Sequence, residues 1–147
     1  MGGQALHLGQ RLRRGPLPIT DTLTLLRQVA AALALAHRRG VVHRDLKPSN
    51  LFLVGGEADR VKILDFGIAR RLVASRAMTR TGTLIGTPEY MAPEQGLTPS
   101  ARSDIFALAV VTFELRTGRV PDRRKPIRSQ LASGMAAWAR VLEQALS

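Results

Sequence analysis

A chain of 147 residues with 45% hydrophobic composition is long enough for one domain with a buried core, and that composition excludes disorder throughout. It has no cysteine, which excludes disulfides and thiolate metal sites, and His7, His37 and His43 lack the spacing of zinc ligands. The net charge of +11 comes from 22 basic and 11 acidic residues, but the basic residues are scattered, only 4% of the chain is aromatic, and no nucleic-acid motif occurs.

The charge therefore argues for no specific nucleic-acid face, while remaining compatible with phosphate groups or acidic partners. No apolar run approaches the ~18 residues of a membrane span, and the N-terminus lacks a basic stretch followed by an apolar one. A cytoplasmic protein is expected.

In chain order, Leu6, Leu8 and Leu12 predict one short helix before Gly15-Pro16. A long helix follows from about Thr20 to Arg39, with Thr20 or Asp21 as cap and Leu23, Leu26, Val29, Ala30, Leu33 and Ala36 as its apolar stripe. Arg38-Arg39 suit the negative end of the helix dipole, and Gly40 suits the position just past its end. Leu51–Val54 and Val61–Leu64 read as two short strands, a hairpin around Gly55-Gly56-Glu57-Ala58-Asp59.

Residues 67–100 are rich in Thr, Gly and Pro and show no sustained period, as expected of a functional loop. A second hydrophobic helix runs from about Ser103 to Arg116, apolar nearly all round and so buried, and Gly118, Pro121 and Pro126 end it. Val120–Ser129 reads as a basic linker and Met135–Leu146 as a last amphipathic helix. There is no internal repeat.

The stretch Val41-Val42-His43-Arg44-Asp45-Leu46-Lys47-Pro48-Ser49-Asn50 carries the chemistry. An Asp on a loop can accept the proton of an attacking hydroxyl, a Lys two residues on can neutralise a phosphoryl group, and an Asn amide oxygen can coordinate a metal. Phosphoryl transfer needs those parts, because it is mostly positioning and charge neutralisation. A second metal ligand is available in Asp65-Phe66-Gly67, 15 residues after Asn50, and Gly86-Thr87-Pro88-Glu89-Tyr90-Met91-Ala92-Pro93-Glu94 follows it.

These three pieces, in this order, resemble the C-terminal lobe of a eukaryotic-like serine/threonine protein kinase of bacterial type. HRDLKPSN is similar to the catalytic loop, LDFGIAR to the metal-binding segment, and MAPE to the end of the activation segment. The resemblance implies a mainly α fold, a kinase C-lobe-like helical domain with a small β-hairpin carrying the catalytic and DFG loops. It implies a partial kinase domain over 1–147, with a core to 118, a shortened basic linker over 119–134 and a terminal helix over 135–147.

ATP and Mg²⁺ are the implied cofactors, and a protein substrate or partner is implied. Asp45 would be the catalytic base, Lys47 would contact the γ-phosphate, Asn50 and Asp65 would hold Mg²⁺, and Thr87 would line the hydroxyl site. Phe52 and Leu64 would floor the adenine, His43 and Phe66 would stack in the core, and Asp104 would anchor the catalytic-loop backbone. Glu94 and Trp138 are expected to be structural. Thr79 and Thr81 best match the positions where such kinases carry activating phosphates, with Thr83 a lesser candidate, and Arg44 is the implied partner for the phosphate, with Arg70 as a second donor.

The chain departs from the pattern in its first part. No G-x-G-x-x-G occurs, no lysine precedes Lys47, and the first glutamate is Glu57. The glycine-rich loop and the strand lysine with its glutamate partner are thus expected to lie outside these residues, in an N-lobe supplied elsewhere. Ala109 stands where the family's central helix commonly has Gly. A truncated kinase, weak or inactive alone, is the expectation; the alternative is a pseudokinase-like interaction module without catalysis.

Overall fold

The computed structural model describes residues 5–66, 88–93 and 99–147. Its elements are β1 (Leu6–His7), α1 (Leu8–Leu12), α2 (Ile19–Arg38), β2 (Leu51–Leu53), β3 (Val61–Ile63), α3 (Ala101–Thr117) and α4 (Ala136–Ala145), with several 3-10 turns between them. The fold is mainly helical, as expected, with one small antiparallel sheet.

That sheet has three strands in the order β1-β2-β3, not two, which corrects the hairpin expectation. Leu6 pairs with Leu53 and His7 with Phe52, so Leu6 belongs to a strand and not to the predicted first helix. Two residues carry no readable period, and only the edge of β2 makes them a strand. The hairpin itself holds, with Leu51 opposite Ile63 and Leu53 opposite Val61. Gly55 and Gly56 take φ of 66° and 76°, a left-handed backbone that glycine adopts without a Cβ clash.

Helix α2 starts one residue earlier than predicted, with Pro18 at its cap position and no side-chain cap, so Thr20 and Asp21 lie inside the first turn. Its far end is as read: the Gly40 amide reaches the His37 carbonyl at 3.0 Å and the Val41 amide the Ala36 carbonyl at 2.9 Å. That double closure, with Gly40 at φ 75°, is a Schellman motif. The buried stripe is Thr22, Leu25, Val29 and Leu33, with Leu26 packed against it, whereas Leu23 and Ala30 are exposed, which corrects those two positions of the predicted stripe. Apolar residues surround much of this helix, so periodicity alone could not select the face. At 20 residues α2 is also long and apolar enough to cross a membrane, which counting uninterrupted apolar runs did not register. In the fold it packs against α3, with Leu25, Val29 and Leu33 in the core.

Helix α3 is the central element. Ala107, Leu108, Val111 and Leu115 join the core beneath α2 and the sheet. Phe106 and Val110 meet Ala92, and Ala109 and Phe113 meet Leu142 of α4. Three apolar clusters around one helix explain its all-round hydrophobicity; Ile105 is the exception and is exposed. Each fully buried Leu, Val or Phe contributes about 1.5–3 kcal/mol relative to exposure. Ser103 Oγ accepts from the Ser100 amide at 3.0 Å at the start, and Gly118 at φ 81° closes the end.

The segment 119–134 is not a bare linker. It holds two 3-10 turns, Ile127–Gln130 and Ser133–Met135, and Gln130 is buried. The Gln130 side chain accepts from the Asp122 amide at 2.7 Å and donates to the Asp122 carbonyl at 2.9 Å and the Lys125 carbonyl at 3.1 Å. One buried amide thereby satisfies the backbone of a loop whose composition reads only as basic.

Candidate active site

The loop after α2 is held from beneath by one carboxylate. Asp104, in the first turn of α3 and 1% exposed, accepts from the His43 amide at 2.8 Å through Oδ2 and the Arg44 amide at 3.0 Å through Oδ1. His37 Nε2 reaches the same Oδ2 at 2.8 Å, tying the end of α2 to the hub. These bonds offset the cost of burying a polar side chain. Arg44 takes φ of 77° between two bonds that fix its peptide, so the turn is imposed by Asp104.

His43 is fully buried and works as a spacer. Its Nδ1 accepts from the Asp45 amide at 3.1 Å, so the proton sits on Nε2, which donates to the Leu64 carbonyl at 2.8 Å. Its ring meets Phe66 edge-on, centroids 4.8 Å apart, as expected. The Leu64 amide in turn donates to the Asn50 carbonyl at 2.9 Å. The DFG strand end is thus stitched to the catalytic loop through both backbone groups of Leu64.

Asp45 and Asn50 are each 6% exposed and bonded together. Asn50 Nδ2 donates to the Asp45 carbonyl at 2.7 Å and to its Oδ2 at 3.2 Å, and Lys47 Nζ lies 3.5 Å from the same Oδ2. With its nitrogen engaged, Asn50 has its carbonyl oxygen to offer a cation. Asp65 is exposed at φ 58°, an unusual backbone for a non-glycine residue, one position beyond the pinned Leu64. Among the described residues no group of three or more His, Asp or Glu side chains could cage a metal. An amide oxygen and a carboxylate on two segments nevertheless suit Mg²⁺, which keeps several waters and takes further oxygens from phosphates.

Phe52 lies between the buried Leu51 and Leu53 and so points to the other face of the sheet, where His7 packs edge-on at 5.9 Å. Leu64 is 43% exposed. The two predicted adenine contacts therefore remain half open. Thr79, Thr81, Thr83, Thr87, Arg70, Gly67 and Glu94 lie outside the described residues.

Sequence reasoning missed Tyr90, Glu114 and Arg123. The Tyr90 hydroxyl donates a short hydrogen bond to Glu114 Oε2 of α3. Burial pushes the Tyr90 phenol well above its ordinary value, and the Glu114 bond adds to this. Burial also raises the Glu114 carboxyl, while the Tyr90 bond opposes the rise and nearby Glu89 adds to it. A tyrosine beside an apolar run and a glutamate inside a buried helix were the available signals, but their separation hid the pairing.

The site thus holds a buried carboxylate with an ammonium 3.5 Å away, and an amide and a second carboxylate on two stitched loops. The family model described as a protein kinase domain matches residues 1–144, and the chain belongs to that family. It is 48% identical over 122 residues to the serine/threonine-protein kinase Pkn1 of Myxococcus xanthus, covering 80% of this chain and 18% of that protein. It is 44% identical over 112 residues to PknL of Mycobacterium tuberculosis, covering 75% of this chain and 27% of that protein.

Among solved structures, the Mycobacterium tuberculosis PknI kinase domain superposes with a TM-score of 0.74 at 30% identity, over 98% of this chain and 54% of that domain. The chain thus spans about half of a related kinase domain and a small part of its full-length relatives. As a family, protein kinases are transferases that use ATP and Mg²⁺ and act on proteins.

Proposed function

We propose that this chain carries the catalytic half of a serine/threonine protein kinase and transfers phosphate from ATP to protein hydroxyls weakly when alone. The observation that supports this best is the hydrogen-bonded Asn50–Asp45 pair, a buried carboxylate joined to an amide, which in this reading are the proton acceptor and a cation ligand. Asp45 accepts the hydroxyl proton, Lys47 offsets charge on the γ-phosphate, and Phe52 and Leu64 support the adenine. Asn50 and Asp65 would hold Mg²⁺, which when bound would neutralise phosphate charge. Thr87 belongs to the hydroxyl site in the same reading, with its position outside the described residues.

Weak activity follows from the sequence, in which no G-x-G-x-x-G occurs and no lysine precedes Lys47 to grip the α- and β-phosphates. Regulation is read on the same basis: phosphate at Thr79 or Thr81 would bring about −1.5 to −2 charge to the loop that follows the Arg44-bearing segment in the chain, with Arg44 as its proposed partner.

The test is phosphoryl transfer by the purified chain to a generic basic protein. Kinases turn over at ~1–100 s⁻¹, and a rate orders of magnitude lower, abolished by Asp45→Ala, is expected. An ordinary kinase rate overturns the weak-alone reading. No transfer, with Mg²⁺-dependent ATP binding intact, favours an interaction module instead.

A further inference from the structure

The basic segment after α3 does something its composition does not announce. Arg123 Nη2 donates to the Glu89 carbonyl at 3.0 Å and the Met91 carbonyl at 2.7 Å. Its guanidinium lies over the Phe106 ring, 4.9 Å from the centroid. Phe106 is itself buried against Ala92, so the arginine is seated on the same cluster that the 88–93 segment packs into. Between those two carbonyls, the Tyr90 side chain packs on the same cluster and donates to Glu114 of α3. Alternate residues of one short stretch are therefore held by two different elements: the carbonyls of 89 and 91 by Arg123, and the side chain of 90 by α3.

The clamp is also built in advance. Gln130 fixes the Asp122–Pro126 turn that presents Arg123, and Arg119 Nη2 donates to the Gln130 carbonyl at 2.9 Å. Asp122 Oδ1 further accepts from the Arg124 amide at 3.0 Å. A loop with this much internal bonding delivers its arginine at little further ordering cost. A delocalised, weakly hydrated guanidinium suits a site that combines two carbonyls with an aromatic ring better than a compact, strongly hydrated lysine ammonium does.

We infer that Arg123 is a positioning residue for the acceptor hydroxyl, holding the 88–93 segment in the shape that receives a seryl or threonyl peptide. This rests on the phosphoryl-transfer reading above, in which 88–93 follows the Thr87 hydroxyl site. Arg123 touches neither nucleotide nor reacting atoms; it acts through the backbone of Glu89 and Met91.

The experiment compares wild type with Arg123→Lys, Arg123→Ala and Gln130→Ala, each checked for native helix content. Amide exchange over 88–93 is measured by mass spectrometry, and binding of a fluorescein-labelled neutral seryl peptide by anisotropy, with ATP·Mg²⁺ affinity in parallel. Loss of the Arg123 bonds is expected to speed exchange and weaken the peptide by about tenfold in Arg123→Ala, with smaller changes in the same direction in Arg123→Lys and Gln130→Ala and ATP·Mg²⁺ affinity unchanged. Unchanged exchange in Arg123→Lys and Arg123→Ala overturns the clamp. Faster exchange with unchanged peptide affinity, or a wild type that binds no peptide, overturns the positioning role. Failure of ATP·Mg²⁺ binding in wild type counts separately, against the phosphoryl-transfer reading.

Discussion

Asn50 Nδ2 donates to both the carbonyl and the carboxylate of Asp45, at 2.7 Å and 3.2 Å, so two residues five positions apart form one rigid unit. Neither can be changed without disturbing the other. Asn50→Ala removes both bonds from a buried partner, and leaving such groups unsatisfied costs about 1–3 kcal/mol. Urea denaturation should show that loss, and calorimetry should show weaker Mg²⁺-dependent ATP binding. Unaltered stability would mean that water replaces the amide.

Asp65 separates backbone strain from chemistry. At φ 58° glycine is favoured over alanine, by roughly 1 kcal/mol. Asp65→Gly should therefore be more stable than Asp65→Ala in denaturant titrations. Both should lose Mg²⁺-dependent ATP binding equally, because both lack the carboxylate. ATP binding that is the same with and without Mg²⁺ in wild type would point to non-specific attraction to arginine.

Asp104 holds three donors from two segments. Asp104→Ala strips the acceptor from the His43 and Arg44 amides and from His37 at once. Removing one partner from a buried charged network costs about 3–5 kcal/mol. Asp104→Asn keeps an acceptor for one amide and should cost less. Hydrogen exchange at residues 43–45 should rise in both, and more in the alanine variant.

The Tyr90–Glu114 pair sets a pH dependence. Glu114 has its folded pKa raised above 4.5, so the folded state holds its proton more tightly than the unfolded chain does. Its contribution is fully present below the unfolded value and is lost as pH rises through the folded one. Glu114→Gln keeps an acceptor for the Tyr90 hydroxyl and should flatten this fall in a stability–pH series. Tyr90→Phe removes the bond that lowers the Glu114 pKa and should extend the fall to higher pH. Because the Tyr90 phenol is also raised, wild type should lose further stability above about pH 10, where unfolded tyrosine ionises, and Tyr90→Phe should not.

Phe113 joins α3 to α4. It is fully buried with Ala109 and Leu142, and Phe113→Ala should cost about 3–5 kcal/mol through transfer and cavity terms. Thermal unfolding should show it, with faster exchange in α4 than in α2.

What the residues alone decide here is local or fixed by short spacing. The Schellman closure at Gly40 depends on the six consecutive residues 36–41, and the hairpin depends on two glycines between short apolar runs. The grouping of Asp45, Lys47 and Asn50 is held by a single 3-10 turn, Pro48–Asn50. His43 against Phe66 and Asp104 beneath the loop were also readable, through the family resemblance that the spacing carried.

Tertiary packing decided the rest. Leu6–His7 became a strand only because the edge of β2 offered partners. α2 turned Thr22, Leu25, Val29 and Leu33 inward only because α3 lay on that side. The Tyr90–Glu114 bond spans 24 residues and the Arg123–Glu89 bond spans 34, and each becomes possible only after α3 is buried. The physical reason is that helix caps and tight turns are closed by neighbours along the chain. Which face is buried, and which arginine finds a carbonyl, depends on surfaces that exist only once the chain has folded.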